Sequence, residues 1–146
     1  MGFDWQGYYE FAKWLSGQAC SACSDEVLIR NTISRAYYSA LHALHEFYYE
    51  VLHRYPKRQE DETTHKALIE QIKINFVSYF SGSDDVKEDL KEVTEILQDF
   101  RDMRNEADYV PSLSLERPMD ENTRDEAFVY ASRIIGGIEA FRQKYI

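Results

Sequence analysis

Apolar residues recur along this chain at three- and four-residue spacings, and that pattern predicts five helices. The first covers about residues 4–15, with Asp4 as N-cap and Tyr8, Phe11, Ala12 and Leu15 on one side. A loop with Gly17, Cys20, Cys23 and Ser24 leads to a long second helix, about 25–54. Its stripe is Ile29, Ile33, Ala36, Tyr37, Ala40, Leu44, Phe47, Tyr48 and Val51, and its roughly 30 residues would span about 45 Å. Residues 55–62 read as a charged, mobile loop. The third helix, about 64–80, starts with Thr64 as N-cap and buries Leu68, Ile72 and Phe76. A turn at 81–84 precedes the fourth, about 85–108. Two prolines, Pro111 and Pro118, mark an extended connection. Thr123 to Glu126 has the form of a capping box and opens the fifth helix, with Ala131, Ile134, Ile135, Ile138 and Phe141 inside. Gly136 and Gly137 weaken that helix and mark either close packing or a bend. The expected architecture is a single all-α domain over 1–146, a bundle of four to five helices with a long helix-two/helix-four hairpin.

The fourth helix breaks its own pattern. Its apolar stripe runs Val86, Leu90, Val93, Leu97, Phe100, and the next two places on it are Arg104 and Asp108. At about 100° per residue these charges fall within about 40° of Val86 and Leu97. Taking such charges out of water is costly unless they are paired or used. They are four residues apart, so a structural ion pair is one reading. The other is a phosphate or carboxylate grip, because an arginine fork donates two parallel hydrogen bonds to either. Arg101 lies on the same side within about 60°.

Composition narrows the choices. Eleven Tyr, eight Phe and two Trp against six Gly and three Pro favour long helices over short strands. No apolar run reaches the roughly 18 residues of a membrane span. The start, Met1-Gly-Phe-Asp-Trp, lacks a basic and an apolar signal region, and Gln6 stands where myristoylation wants Ser or Thr, so a cytoplasmic protein is expected. The net charge is −9, and residues 84–99 hold seven acids against Lys87 and Lys91. That excludes a broad basic footprint for nucleic acid but leaves room for a small arginine-lined cleft, and it suits docking to a basic partner. Cys20 and Cys23 form one C-x-x-C pair without a second, which reads as two reduced thiols rather than a zinc site. No cofactor motif and no metal site are expected.

Helix two also has a polar back face. Asn31, Tyr38, His42 and Glu46 lie within about 60° of Arg35, opposite the main stripe. This is either a solvated face or a cleft or self-association surface, since Tyr and Arg are enriched at interfaces. His65 follows the expected N-cap of helix three. It reads as a surface histidine near a cap or as a catalytic base, and the helix terminus disfavours its cation.

Three segments resemble the HEPN superfamily of small α-helical domains. Ser34-Arg-Ala-Tyr-Tyr-Ser-Ala-Leu-His42 is similar to the SRAYYxxxH helix of one prokaryotic branch. Thr64-His65-Lys66 is similar to a THxG-like helix start, with Ala67 in place of the glycine. Arg101-Asp-Met-Arg104-Asn105-Glu-Ala-Asp108-Tyr109 is similar to RxxADY. The order and separations also fit, over about residues 5–145.

The resemblance implies a bundle that forms homodimers, and a site in the dimer cleft that cleaves RNA without metal through an R-x(4–6)-H motif. It implies a place in a prokaryotic defence or toxin–antitoxin system, with a cognate nucleotidyltransferase antitoxin or a defence effector as partner. In this chain Arg104 and Asn105 fit the motif, but Tyr109 stands where the histidine belongs, and no His occurs beyond His65. Arg35 and His42 match the spacing numerically on helix two, which is the wrong place in the fold. A tyrosine near pKa 10 transfers protons poorly at neutral pH. Either His42 or His65 substitutes from another helix, or the chain is a weak or inactive member, and Asp108 competes with a phosphate for Arg104.

The expected site is therefore Arg104, Tyr109 and His65 as catalytic candidates, with Arg35, His42, Arg101, Asn105 and Asp108 lining the cleft. RNA or a nucleotide is the expected ligand. The alternative is a catalytically inactive helical module that recruits a partner protein.

Overall fold

The computed structural model of the chain describes residues 4–19, 21–57, 60, 63–80 and 84–146. Among these residues the architecture is all-helical, without strands. Helix α1 is Trp5–Ser16 and begins at the predicted cap, where the Asp4 carboxylate accepts from the Gly7 amide at 2.9 Å. Helix α2 is Asp25–Leu52, capped by the Ser24 hydroxyl and closed by His53 in the left-handed region at φ 56°. Helix α3 opens as Thr64–Gln71, passes through a π-helical turn, Ile72–Phe76, and ends as Val77–Tyr79. Helix α4 is Asp84–Tyr109, and a 3-10 turn, Ser112–Ser114, separates it from α5, Glu121–Tyr145.

Two caps sit elsewhere than predicted. Thr63, not Thr64, caps α3 by accepting from Lys66 N. Asp120, not Thr123, caps α5. Thr123 is buried one turn in, its amide held by Asp120 and its hydroxyl donating to Pro118 O at 2.6 Å. Both shifts arise because two competent cap residues lie close together, and packing selects between them. The turn expected at 81–84 falls largely outside the described residues. In the 55–62 loop, Tyr55 donates to Glu46 and Lys57 N donates to the Gln71 side chain, so this part is anchored; residues 58, 59, 61 and 62 lie outside the description. Cys20 does too, and Cys23 is half-buried.

The centre of the bundle is α2, which packs most extensively against α1 and α5 and then α4. The expected packing of helix two on helix four is present, but it is less extensive than the contacts of α2 with α1 and α5. All nine residues of the predicted α2 stripe are buried, and Thr32, Ser39, Leu41 and Ala43 are buried beside them. Along the opposite side a strip through Asn31, Arg35, Tyr38, His42, Glu46 and Tyr49 stays exposed or half-exposed. Helix α1 rests on this core differently from its predicted stripe. Ala12 is buried and Trp5 and Tyr9 pack inward, whereas Tyr8, Phe11 and Trp14 are 38%, 45% and 58% exposed. The Ser39 hydroxyl donating to Trp5 O and the Tyr9–Ser132 hydrogen bond fix that rotation.

Gly137 marks close packing and Gly136 does not. A Cβ on Gly137 would lie 2.7 Å from Val93 Cγ2, whereas one on Gly136 meets nothing within 4 Å. Gly137→Ala is therefore expected to destabilise the α4–α5 contact by about 1–3 kcal/mol through overpacking. Gly136→Ala should stabilise by roughly 0.5–1 kcal/mol, because alanine is the better helix former. Chemical denaturation of the two variants checks the opposite signs.

Candidate functional site

Three helices bring the unusual polar residues together. Helix α4 supplies Arg101, Arg104 and Asp108, α2 supplies Ser34, Tyr37 and Tyr38, and the first turn of α3 supplies His65. The apolar stripe of α4 does not end at Phe100. It continues through Met103 and Ala107, both buried, which puts Arg104 and Asp108 on its flank. The Arg104 side chain is 12% exposed and that of Asp108 24%.

His65 is buried at 4% exposure, which overturns its reading as a surface residue. The helix start points it inward, over the hydroxyl of the fully buried Tyr37, which lies 2.5 Å from Nδ1. Burial, and then the neighbouring Arg101 cation, push the imidazole down to about 4, with Gln98 opposing, Arg104 adding and Asp102 opposing. Burial likewise pushes the Tyr37 phenol up to about 12, although Arg104 and Arg101 pull it back. At neutral pH the imidazole is neutral and the phenol protonated, so Tyr37 donates to Nδ1 and Nε2 carries the other proton. Gln98 comes near enough to favour the cation, yet no acceptor has hydrogen-bond geometry at Nε2, which is buried without a partner.

Arg104 sits among three rings. Its guanidinium carbon is 5.0 Å from the centroid of Tyr37, 5.5 Å from Tyr38 and 6.0 Å from Tyr109. Burial works against its charge, but Tyr38, Tyr37 and Asp108 together outweigh burial and raise its pKa. One Nη lies 3.5 Å from Asp108 Oδ2, and that oxygen also accepts from Ser34 Oγ at 3.3 Å. The pair expected at i,i+4 is thus present, but it leaves the guanidinium incomplete. Nε of Arg104 and Nε of Arg101 are both buried without hydrogen-bond partners. Buried N–H groups are nearly always satisfied in folded proteins. Three unsatisfied nitrogens close together, two of them on cations, are an exception that asks for an acceptor.

The end of α4 is tied down by a side chain from α2. Arg30 Nη1 donates to the carbonyls of Glu106, Ala107 and Val110 at 3.0, 3.1 and 2.7 Å, placing a cation at the negative end of the helix. Glu26 completes the staple by pairing with Arg30 and accepting from Ser112.

Of the residues expected from sequence, Arg101, Arg104, His65, Asp108 and Tyr109 come together. His42 stacks on Tyr38, at 6.4 Å between ring centroids. Arg35 is exposed on the outer strip of α2, and Asn105 is half-buried. Tyr37, Tyr38 and Arg30 were missed. The two tyrosines looked like core and back-face residues of α2, and only the joint position of His65 and Arg104 reveals their role. Nothing in the spacing of Arg30 announces a helix-end staple 76 residues away.

Among the described residues no group of three or more His, Cys, Asp or Glu side chains is placed to hold a metal ion, and no helix is long and apolar enough to cross a membrane. No family model, curated protein or solved structure matches the chain.

Proposed function

We propose that this chain is a HEPN-like protein of a prokaryotic defence or toxin–antitoxin system that binds RNA or a nucleotide through Arg101 and Arg104 without cleaving it. The observation that carries this reading is the pair of incompletely satisfied arginines held in a buried, tyrosine-lined setting. In a chain of net charge −9, such a pair is a local phosphate grip rather than part of a general basic surface.

Cleavage is the less favoured half of the family expectation. Metal-free cleavage needs a group that takes a proton from the 2′-hydroxyl and another that gives one to the leaving oxygen. A histidine held near 4 is a neutral imidazole at neutral pH and no longer a useful proton donor, and a phenol held near 12 does not release its own proton. His65 is also buried, with Nδ1 committed to Tyr37. The proposed chemistry is therefore recognition, within a homodimer that displays two such sites.

The test is equilibrium binding of a labelled single-stranded RNA over a range of salt, with the same RNA then assayed for cleavage in EDTA. Two phosphates gripped per site predict a log Kd against log salt slope of about 1.4 in magnitude, with intact RNA recovered. No binding at low salt would contradict the reading, and efficient cleavage would restore the nuclease half. One observation favours a second reading, a module that docks a partner protein: the exposed aromatic face Tyr8, Phe11 and Trp14 on α1, where the rings of Phe11 and Trp14 stack at 5.8 Å.

A further inference from the structure

Tyr109 is the most conspicuous exposed ring near the arginines. It is the last residue of α4, is 74% exposed, and lies 6.0 Å from the Arg104 guanidinium. An exposed tyrosine at a helix end is ordinarily a loose group. Here the backbone on both sides of it is gripped. Arg30 holds the carbonyls of Glu106, Ala107 and Val110, and Glu26 holds Ser112 just beyond. The fold thus presents an open aromatic face on a fixed backbone beside a cation.

We infer that Tyr109 is a stacking platform for an unpaired base, so that the site takes single-stranded RNA whose phosphate is held by Arg104 and whose neighbouring base lies on Tyr109. This rests on the proposed phosphate-binding reading and names the ligand class of that site. Stacking on an aromatic ring tolerates any base and costs less ordering entropy where the backbone that carries the ring is already held. A cation close to the ring also draws electron density from it, which favours the more electron-rich purines. Base-paired RNA has no free base face to offer, so a duplex is excluded from the platform. In this role the ring acts and the hydroxyl does not, which separates it from a proton-transfer role standing in for the missing histidine.

The experiment measures binding of labelled hexa-adenylate, with unlabelled RNA duplex and inorganic phosphate as competitors, by the full chain and by Tyr109→Ala, Tyr109→Phe and Arg104→Met. Tyr109→Ala should lose about 10-fold in affinity for hexa-adenylate, and Tyr109→Phe should restore it to within about twofold. The duplex should compete poorly. Competition by inorganic phosphate should weaken in Arg104→Met and not in Tyr109→Ala. If Arg104→Met loses binding while Tyr109→Ala does not, the stacking role is overturned and the phosphate site stands. A loss in Tyr109→Phe as large as in Tyr109→Ala would transfer the role to the hydroxyl and also overturn it. If neither position affects binding, both readings fall together, and a protein becomes the better occupant. Circular dichroism of each variant separates loss of contact from loss of fold, and the exposure of Tyr109 makes its variants the secure ones.

Discussion

Replacing Arg104 by methionine is expected to weaken RNA binding about 100-fold while leaving the protein folded. A guanidinium that grips phosphate with two charge-assisted hydrogen bonds contributes on the order of 3 kcal/mol, or about two decades in affinity. Methionine keeps an unbranched stem among Tyr37, Tyr38 and Tyr109 and removes only the charge. The cost to stability should be small, because the arginine is not fully satisfied to begin with. Its Nε lacks a partner, and Asp108 keeps the Ser34 hydroxyl and access to solvent when the cation is gone. A purely structural ion pair makes the opposite forecast, with a large loss of stability and unchanged binding. Asp108→Asn sharpens the distinction. It removes the carboxylate that lies 3.5 Å from the guanidinium and competes for it, so binding should tighten by about 3- to 10-fold. Isothermal calorimetry with the same RNA, run beside thermal melts, checks both signs.

The second large effect concerns acid. The folded protein resists protonation of His65 down to about pH 4, whereas the unfolded chain takes up that proton near 6.5. Between those values the unfolded state binds more protons, so stability is fully present above about 6.5 and falls as the pH drops toward 4. The shift corresponds to about 3 kcal/mol, which in a chain of this size lowers Tm by roughly 10 °C. His42 and His45 act in the same direction, each lowered first by burial, and for His42 next by His45. Carboxylates also titrate in this window, so the decisive comparison is His65→Asn, whose amide oxygen can accept from Tyr37 in place of Nδ1. That variant should show a clearly flatter loss of Tm between pH 6.5 and 4. An unchanged acid limb would mean that His65 is not the group responsible.

Much of the architecture could be read from periodicity because long helices with few glycines and prolines leave few alternatives. The five helices, the buried stripe of α2, the Asp4 cap and the inward face of α5 all follow from spacing. What spacing could not supply is rotation and partnership. Tyr8 and Phe11 on α1 look as apolar as Trp5 and Tyr9, and only the contacts of Trp5 with Ser39 and of Tyr9 with Ser132 decide which pair turns inward. Arg104 stood out because it follows the apolar stripe at helical spacing, although the stripe itself runs on through Met103 and Ala107 and leaves Arg104 on its flank. His65 stood out as well, but its burial was not legible, because a histidine after a helix cap has no local mark of burial; Tyr37, 28 residues earlier, provides it. The Arg30 staple is invisible for the same reason, since its acceptors are backbone carbonyls that any sequence carries.

The most direct test of the central claim is nuclear magnetic resonance of the arginine Nε–H groups in isotopically labelled protein, titrated with a short single-stranded RNA. Arg101 and Arg104 hold buried Nε–H groups without acceptors, so their signals should be protected from exchange and assignable through Arg104→Met and Arg101→Met. The account predicts that these two resonances shift together and saturate at one equivalent of RNA per chain, ahead of any change at the exposed Arg35. Shifts confined to other arginines, or none while RNA is bound, would contradict it.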